Sequence, residues 1–309
     1  MPTRLVLCVV AFALLALRAD AADGLRVAVA GDQSTVDVFD GDTQVLRYQF
    51  GTAPVPKGIA PRYACGDYIQ PLCGPDGEAL TQAQPKDHPH HRGVMWAWPV
   101  CRWADKVCDP WAVRGLWVRP EKLRRAAIEH GHAVIDASLL WKWADKHVIA
   151  RQEVFLRIAP QADRTRTVDI ELRLTALTDA VSIGGRPKRG YGGFGIRMAP
   201  RKAQQITLFT DPPAATPRRA WIEYSDTFAG GKGRVGVAVF QHPANPLAPS
   251  ELQKYPNLNY VMPAFPGARE FPLPKGTPVV LRYRLWIHPG HADAKALAAQ
   301  WAAYAQAKP

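Results

Sequence analysis

The residues best suited to chemistry lie in one stretch, Asp87-His88-Pro89-His90-His91-Arg92-Gly93, which runs directly into Val94-Met95-Trp96-Ala97-Trp98. Three of the chain's nine histidines fall here within four positions. An imidazole titrates near pH ~6.5 and so exchanges protons at neutral pH, while a neighbouring guanidinium can hold an oxyanion or carboxylate. On this pattern His90 and His91 are the candidate acid and base, Arg92 is their anion partner, and His88 joins the ligand-binding set. Trp96 and Trp98 would offer flat apolar faces on which a sugar ring stacks. A proline splits the cluster and a glycine closes it, which places the histidines on a loop entering a strand. Glu153 is a second candidate proton-transfer group. It shares a strand face with Arg151 and Arg157, so its competing reading is a solvated ion pair.

Metal binding is the rival chemistry for clustered imidazoles. His88 and His90 are two apart and would share a face of an extended chain, with His242 or Glu153 completing a divalent-metal site. Pro89 disturbs that geometry, so the metal stays open and no ligand set is assigned. Two further segments set polar groups beside strand ends: Gln241 to Pro246, with His242 and Asn245, and Arg218 to Tyr224, with charges next to aromatics. Each also reads as an ordinary strand end. Residues 184–195 hold six glycines with Arg186, Lys188, Arg189 and Tyr191. No strand leads into a G-x-G-x-x-G that opens a helix, so this is a basic flexible loop and not a nucleotide cradle.

The elements that must position these residues are strands. Leu25, Val27 and Val29 alternate, then Val36 and Val38, then Leu46, Tyr48 and Phe50, with Gly-Asp turns between them, the pattern of a β-meander. Residues 52–86 are rich in Pro and Gly and read mostly as loop. Val94–Trp98 reads as a short strand, and 101–119 as a long aromatic loop carrying Trp103, Trp111 and Trp117. Trp141–Trp143 and Val148–Ile158 flank a hairpin turn at 144–146. In its second arm Val148, Ala150, Val154, Leu156 and Ile158 share the inner face, and Ile149, Arg151, Glu153, Phe155 and Arg157 the outer. Val168, Ile170, Leu172 and Leu174 alternate in the next strand. Shorter strands follow near 194–198, 206–210, 220–224 and 235–241, and a last one spans 279–287. Only the tail is helical, with Leu297, Trp301 and Tyr304 at i, i+4 and i+7. The expectation is all-β: one large antiparallel β-sandwich over residues 22–309, supersandwich-like, ending in a C-terminal helix.

Residues 1–21 read as a secretory signal, with Arg4 as the basic head, an apolar core from Leu5 to Leu17, and Ala19-Asp20-Ala21 as the cleavage site. That apolar run is shorter than the ~20 residues a spanning helix needs, and Cys8 lies inside it. Cleavage removes Arg4, Arg18 and Asp20, taking the formal charge from +12 to +11. The arginines are scattered, with no basic run interleaved with aromatics, so neither nucleic acid nor membrane is an expected partner. Cys65, Cys73, Cys101 and Cys108 remain. In an oxidising periplasmic or extracellular setting an even count suggests two disulfides, with Cys65–Cys73 and Cys101–Cys108 the pairing that staples two short loops. A four-cysteine zinc site lacks its C-x2-C spacing.

Several segments together resemble a known family. They are Tyr68-Ile69-Gln70-Pro71-Leu72 with Gly74-Pro75-Asp76-Gly77, the histidine stretch, and Tyr191-Gly192-Gly193-Phe194-Gly195-Ile196-Arg197. Ala220-Trp221-Ile222-Glu223-Tyr224 and His242-Pro243-Ala244-Asn245-Pro246 continue the match. They resemble the PmoA-like ("methane oxygenase") family of exported bacterial domains over nearly all of the chain beyond residue 21. The resemblance implies a β-sandwich acting on sugars or glycosides and marks His90, His91, Arg92, Arg197, Tyr224, His242 and Asn245 as site positions. The membrane subunit whose name that family borrows has several spans, and this chain has none, so the name does not carry an activity. The four cysteines and the tryptophan-rich segment depart from the family pattern and imply a different substrate. The expectation is therefore an exported protein performing acid/base catalysis, of hydrolase, lyase or epimerase type, on a small sugar or oligosaccharide. A glycan-binding module without turnover and a metal-dependent oxygenase are the alternatives.

Overall fold

Alternating apolar residues favour strands because a period of two buries one face of a sheet, and a computed structural model shows the outcome for residues 24–307. The signal-peptide reading falls on residues 1–21, outside the described residues. Two eight-stranded antiparallel sheets carry most of the chain. The first is built, edge to edge, from Leu25–Val29, Thr35–Asp40, Thr43–Gln49, Tyr68–Leu72, Val94–Ala97, Gly193–Arg197, Tyr260–Ala264 and Glu251–Tyr255. The second runs Gln205–Thr210, Ala220–Thr227, Arg234–Gln241, Val279–Pro289, Arg166–Ala176, His147–Ile158, His132–Trp143 and Leu116–Glu129. A smaller sheet pairs Glu270–Leu273, Val181–Gly184, Val100–Trp103 and Lys106–Cys108.

Inward side chains of both large sheets merge into one apolar core, from Val36, Leu46, Tyr48 and Trp96 on one side to Leu156, Leu172, Val239 and Tyr283 on the other. The architecture is an all-β sandwich with one C-terminal helix, Ala294–Gln306. Asp293 caps that helix by accepting a hydrogen bond from the Ala296 N–H. Leu297, Trp301 and Tyr304 are buried against Trp221, Phe240 and Trp286 of the second sheet.

The segment 52–86 is mostly loop, as expected, with Tyr68–Leu72 forming a central strand of the first sheet. Two local expectations are corrected. Within 101–119 a short hairpin of Val100–Trp103 and Lys106–Cys108 replaces much of the expected loop. A bulge between Val148 and Ala150 turns Ile149 inward, so both Ile149 and Ala150 are buried and simple alternation fails there.

The cysteine staple is also corrected: among the described residues no disulfide is formed, and Cys65, Cys73, Cys101 and Cys108 are free. Cys65 bridges to Ala53 and takes a hydrogen bond from Arg92, whereas Cys73 bridges to Ala79, so the two have different surroundings. Cys101 and Cys108 face each other across the hairpin as thiols.

Candidate functional site

The histidine stretch sits on the outer face of the first sheet, where Gly93 passes the chain into Val94–Ala97. Gly93 has φ +59, and a Cβ there would lie 2.2 Å from the Ile69 carbonyl oxygen, so only glycine fits this close approach. The loop is held by backbone hydrogen bonds: His91 N–H to the His88 carbonyl (2.9 Å), Gln84 N–H to the His91 carbonyl (2.6 Å) and Arg197 N–H to the Gly93 carbonyl (2.8 Å). Strand pleating then sorts the side chains. Val94 and Trp96 point into the sandwich core, while Met95 and Ala97 point outward and join a second apolar cluster with Trp111, Tyr260 and Met262.

Over that cluster lies an open cleft of about 190 Å3, lined by His88, His90, His91, Trp111, Arg189, Tyr191, Tyr255, Leu258, Tyr260 and Met262. The three imidazoles touch one another. His88 stacks on His91 with ring centres 4.8 Å apart, and His90 meets His91 edge-on at 4.7 Å. Tyr260 lies 4.5 Å from His91, and Trp111 5.9 Å from it. Tyr191 and Tyr255 extend the aromatic wall.

Hydrogen bonds assign distinct states to the rings. The Asp87 carboxylate takes Arg197 Nη2–H on both oxygens, at 3.1 and 3.0 Å, and accepts from His88 Nδ1 at 3.1 Å. Partial burial raises the Asp87 carboxyl, but the bonds from His88 and Arg197 outweigh it and hold it below the usual range. With its Nδ1–H given to Asp87, His88 presents a free Nε2 lone pair, the arrangement of a general base. Arg197 Nη1 donates to His91 Nδ1 at 3.4 Å. A guanidinium can only donate, so the proton of His91 sits on Nε2. Burial, then the neighbouring His90, His88, Arg197 and Arg92, push His91 down to about 2. Burial, then the charges of His88, Arg92, Arg62 and Arg114, push His90 down to about 4. Both rings are therefore neutral at pH ~7 and serve as fixed donors and acceptors. Among the described residues the second nitrogens of His88 and His91 and both of His90 have no protein partner.

Beneath this surface Arg92 is buried and donates to Cys65 Sγ at 3.1 Å. Its charge faces Asp67, a buried carboxylate that accepts from Tyr48 Oη (2.9 Å), Trp96 Nε1 (2.8 Å) and Gln152 Nε2 (2.6 Å). Burial pushes Asp67 up to about 6, against those hydrogen bonds and Arg92. The void among these groups measures only about 30 Å3, room for a water or two, so it is not a ligand cleft.

The sequence-derived candidates therefore divide. His88, His90 and His91 line the cleft, and Arg197 braces it from below. Trp96 and Trp98 do not form a stacking platform: they are 3 % and 1 % exposed, with Nε1–H groups committed to Asp67 and the Phe265 carbonyl. Arg92 is a buried bracing cation and not an exposed anion clamp. Tyr224 lies in the sandwich core, fully buried. His242 and Asn245 belong to the other sheet. Asn245 exchanges two hydrogen bonds with the Arg282 backbone (2.8 and 2.7 Å), extending the strand edge, and His242 packs on Tyr304 at 5.2 Å. Glu153 is also on that sheet, paired at 2.5 Å with Arg124 of the edge strand Leu116–Glu129, across the intervening His132–Trp143, rather than with Arg151 or Arg157. The true aromatic wall, Trp111, Tyr191, Tyr255 and Tyr260, comes from three separate parts of the chain. Trp111 and Tyr191 stood in segments already singled out, whereas Tyr255 and Tyr260 carried no local signal. As to a metal, no three His, Cys, Asp or Glu side chains among the described residues are arranged to hold one. Stacked rings such as those of His88 and His91 do not converge their nitrogens on a point, so the cluster does not fit a metal ion.

The fold and site together define an all-β sandwich protein with an imidazole-lined aromatic cleft on one sheet. Residues 35–302 match a family of unknown function, DUF6807, and the chain belongs to that family. No curated protein and no solved structure matches it.

Proposed function

We propose that this cleft binds a sugar and moves a proton on it, with His88 as the acid/base group. The observation that carries the reading is the cluster of three touching imidazoles whose unpartnered nitrogens open onto aromatic walls. The half-buried rings of Tyr191 and Tyr255, backed by the buried Trp111 and Tyr260, supply flat faces for the C–H surface of a sugar ring, and the neutral His90 and His91 supply hydrogen bonds to its hydroxyls. His88, oriented by Asp87, is the one ring whose free nitrogen is backed by a carboxylate, the usual device for a proton-transfer histidine. No Asp or Glu lines the cleft. Hydrolysis by the common scheme of two facing carboxylates therefore has less support than proton transfer at carbon, as in a lyase or epimerase. The resemblance to exported PmoA-like domains points to the same substrate class, and export to the periplasm or beyond belongs to the same proposal.

The test is a screen of neutral and acidic mono- and oligosaccharides for turnover, repeated with His88→Gln. Loss of a positioned acid/base group lowers the rate by roughly 10²-fold or more. Full turnover by a folded His88→Gln protein would overturn the assignment. A second reading, a glycan-binding module without turnover, is favoured by the low proton affinities of His90 and His91. Saturable binding without any product would select it.

A further inference from the structure

Charge distribution around the cleft narrows the ligand. Arg92, Arg62 and Arg114 act electrostatically on His90, Arg197 and Arg92 act on His91, and Arg189 lines the cleft itself. Among the described residues Arg62, Arg92, Arg114 and Arg189 make no ion pair with a carboxylate. Arg62 instead donates to the Ala112 carbonyl and Tyr63 Oη, and lies over the Tyr63 ring.

Three carboxylates oppose these five cations. Asp87 is already bound by Arg197 and His88, Asp67 lies beneath Arg92, and Glu251 acts on Tyr255 at the rim. Asp109 and Arg186 neutralise each other at 2.6 Å. The surroundings therefore keep an excess of two positive charges. Within a partly desolvated, aromatic-walled cleft such an excess favours an anion far more than it would in open water.

We propose that the sugar is acidic: a ring bearing a carboxylate, as in a uronic acid, whose carboxylate is received by Arg189. This inference rests on the carbohydrate reading above and adds the ligand's charge to it. The carboxylate matches the planar fork of a guanidinium, and Arg189 is exposed, on a loop, with no acidic partner of its own. The aromatic walls hold the ring face while Arg189 fixes its acidic edge. The cleft is smaller than the roughly 300–1,000 Å3 taken by a drug-sized ligand, so one ring is accommodated and the rest of a chain stays outside.

Calorimetric titration of the whole protein with D-glucuronate, D-glucose and acetate, before and after Arg189→Gln, tests this. The expected result is glucuronate binding at least roughly tenfold tighter than glucose, acetate weaker than both, and the ratio of glucuronate to glucose affinity falling to about one in Arg189→Gln. Equal affinity for glucose and glucuronate, with no effect of Arg189→Gln, would overturn the acidic-ligand inference and leave the sugar reading standing. Acetate binding as tightly as glucuronate would mean the carboxylate alone is recognised, and no binding of either sugar would overturn both readings. Arg189 is exposed, so its replacement leaves folding intact, and thermal unfolding of the variant provides the control.

Discussion

Replacing His91 by asparagine changes how stability responds to acid, by an amount the structure sets. In the folded protein His91 titrates near 2, against an ordinary value of 6.5, because burial and surrounding cations disfavour its charged form. A histidine depressed in this way contributes stability that is complete above pH ~6.5 and is lost as pH falls, since the unfolded chain takes up the proton and the folded chain does not. Between pH ~6.5 and pH ~5 that is about 1.5 pH units at ~1.36 kcal/mol each, or ~2 kcal/mol. Other groups act in the same window. Burial raises Glu223, whose oxygen lies 2.7 Å from His291 Nδ1, to about 7, and raises Asp67 to about 6. Raised carboxyls favour the folded state as pH falls towards their ordinary values, so they oppose the histidines and flatten the overall curve. The informative quantity is thus the difference between two proteins. Urea unfolding of wild type and His91→Asn at pH ~7 and pH ~5 should show the wild type losing ~2 kcal/mol more than the variant. Parallel pH dependences would refute the claim that His91 is held neutral beneath the cleft.

Four further outcomes follow from particular contacts. Gly195→Ala places a Cβ 2.2 Å from Tyr260 Oη and 2.7 Å from its ring, and Tyr260 is 1 % exposed with no room to retreat. Destabilisation of about 1–3 kcal/mol by overpacking, with loss of ligand binding as Tyr260 shifts under His91, is expected in denaturant and binding assays. Trp96→Phe removes a donor to the buried Asp67 carboxylate and should cost roughly 1–3 kcal/mol of stability while leaving ligand affinity unchanged. Trp111→Leu should do the reverse on affinity, abolishing the tryptophan fluorescence response to ligand. Glu153→Gln breaks a partly exposed pair with Arg124 and should alter stability by less than ~1 kcal/mol, with turnover intact.

The position of the site was legible because Asp87 to Gly93 gathers its imidazoles in consecutive residues, and clustering survives whatever the fold does. The strand pattern was legible wherever one face is buried and the other wet, as in Arg166–Ala176. It failed where both faces are covered. Val94–Ala97 is buried throughout, so alternation cannot say that Trp96 points inward while Met95 points to the cleft. Ile149 was misassigned because a bulge leaves no mark in the hydrophobic pattern. His242 and Asn245 resemble site residues locally, yet they serve a strand edge of the other sheet, a fact fixed by strand order alone. Tyr255 and Tyr260 were invisible for the same reason: their strands reach the histidines only through the pairing of Tyr260–Ala264 with Gly193–Arg197. Cys65 and Cys73 are close in sequence, but each is engaged by a different neighbour, and spacing could not reveal that.

The central claim is that ligand enters the cleft lined by His88, His90 and His91, on the first sheet, and not the second sheet that carries His242 and Glu223. Histidine side-chain NMR during titration with the sugar that binds tests it directly. The predicted result is that the resonances of His88, His90 and His91 shift together and saturate at one affinity, while those of His242, His288 and His291 stay fixed. Saturable shifts at His242 or His291, with the three clustered histidines unmoved, would contradict it.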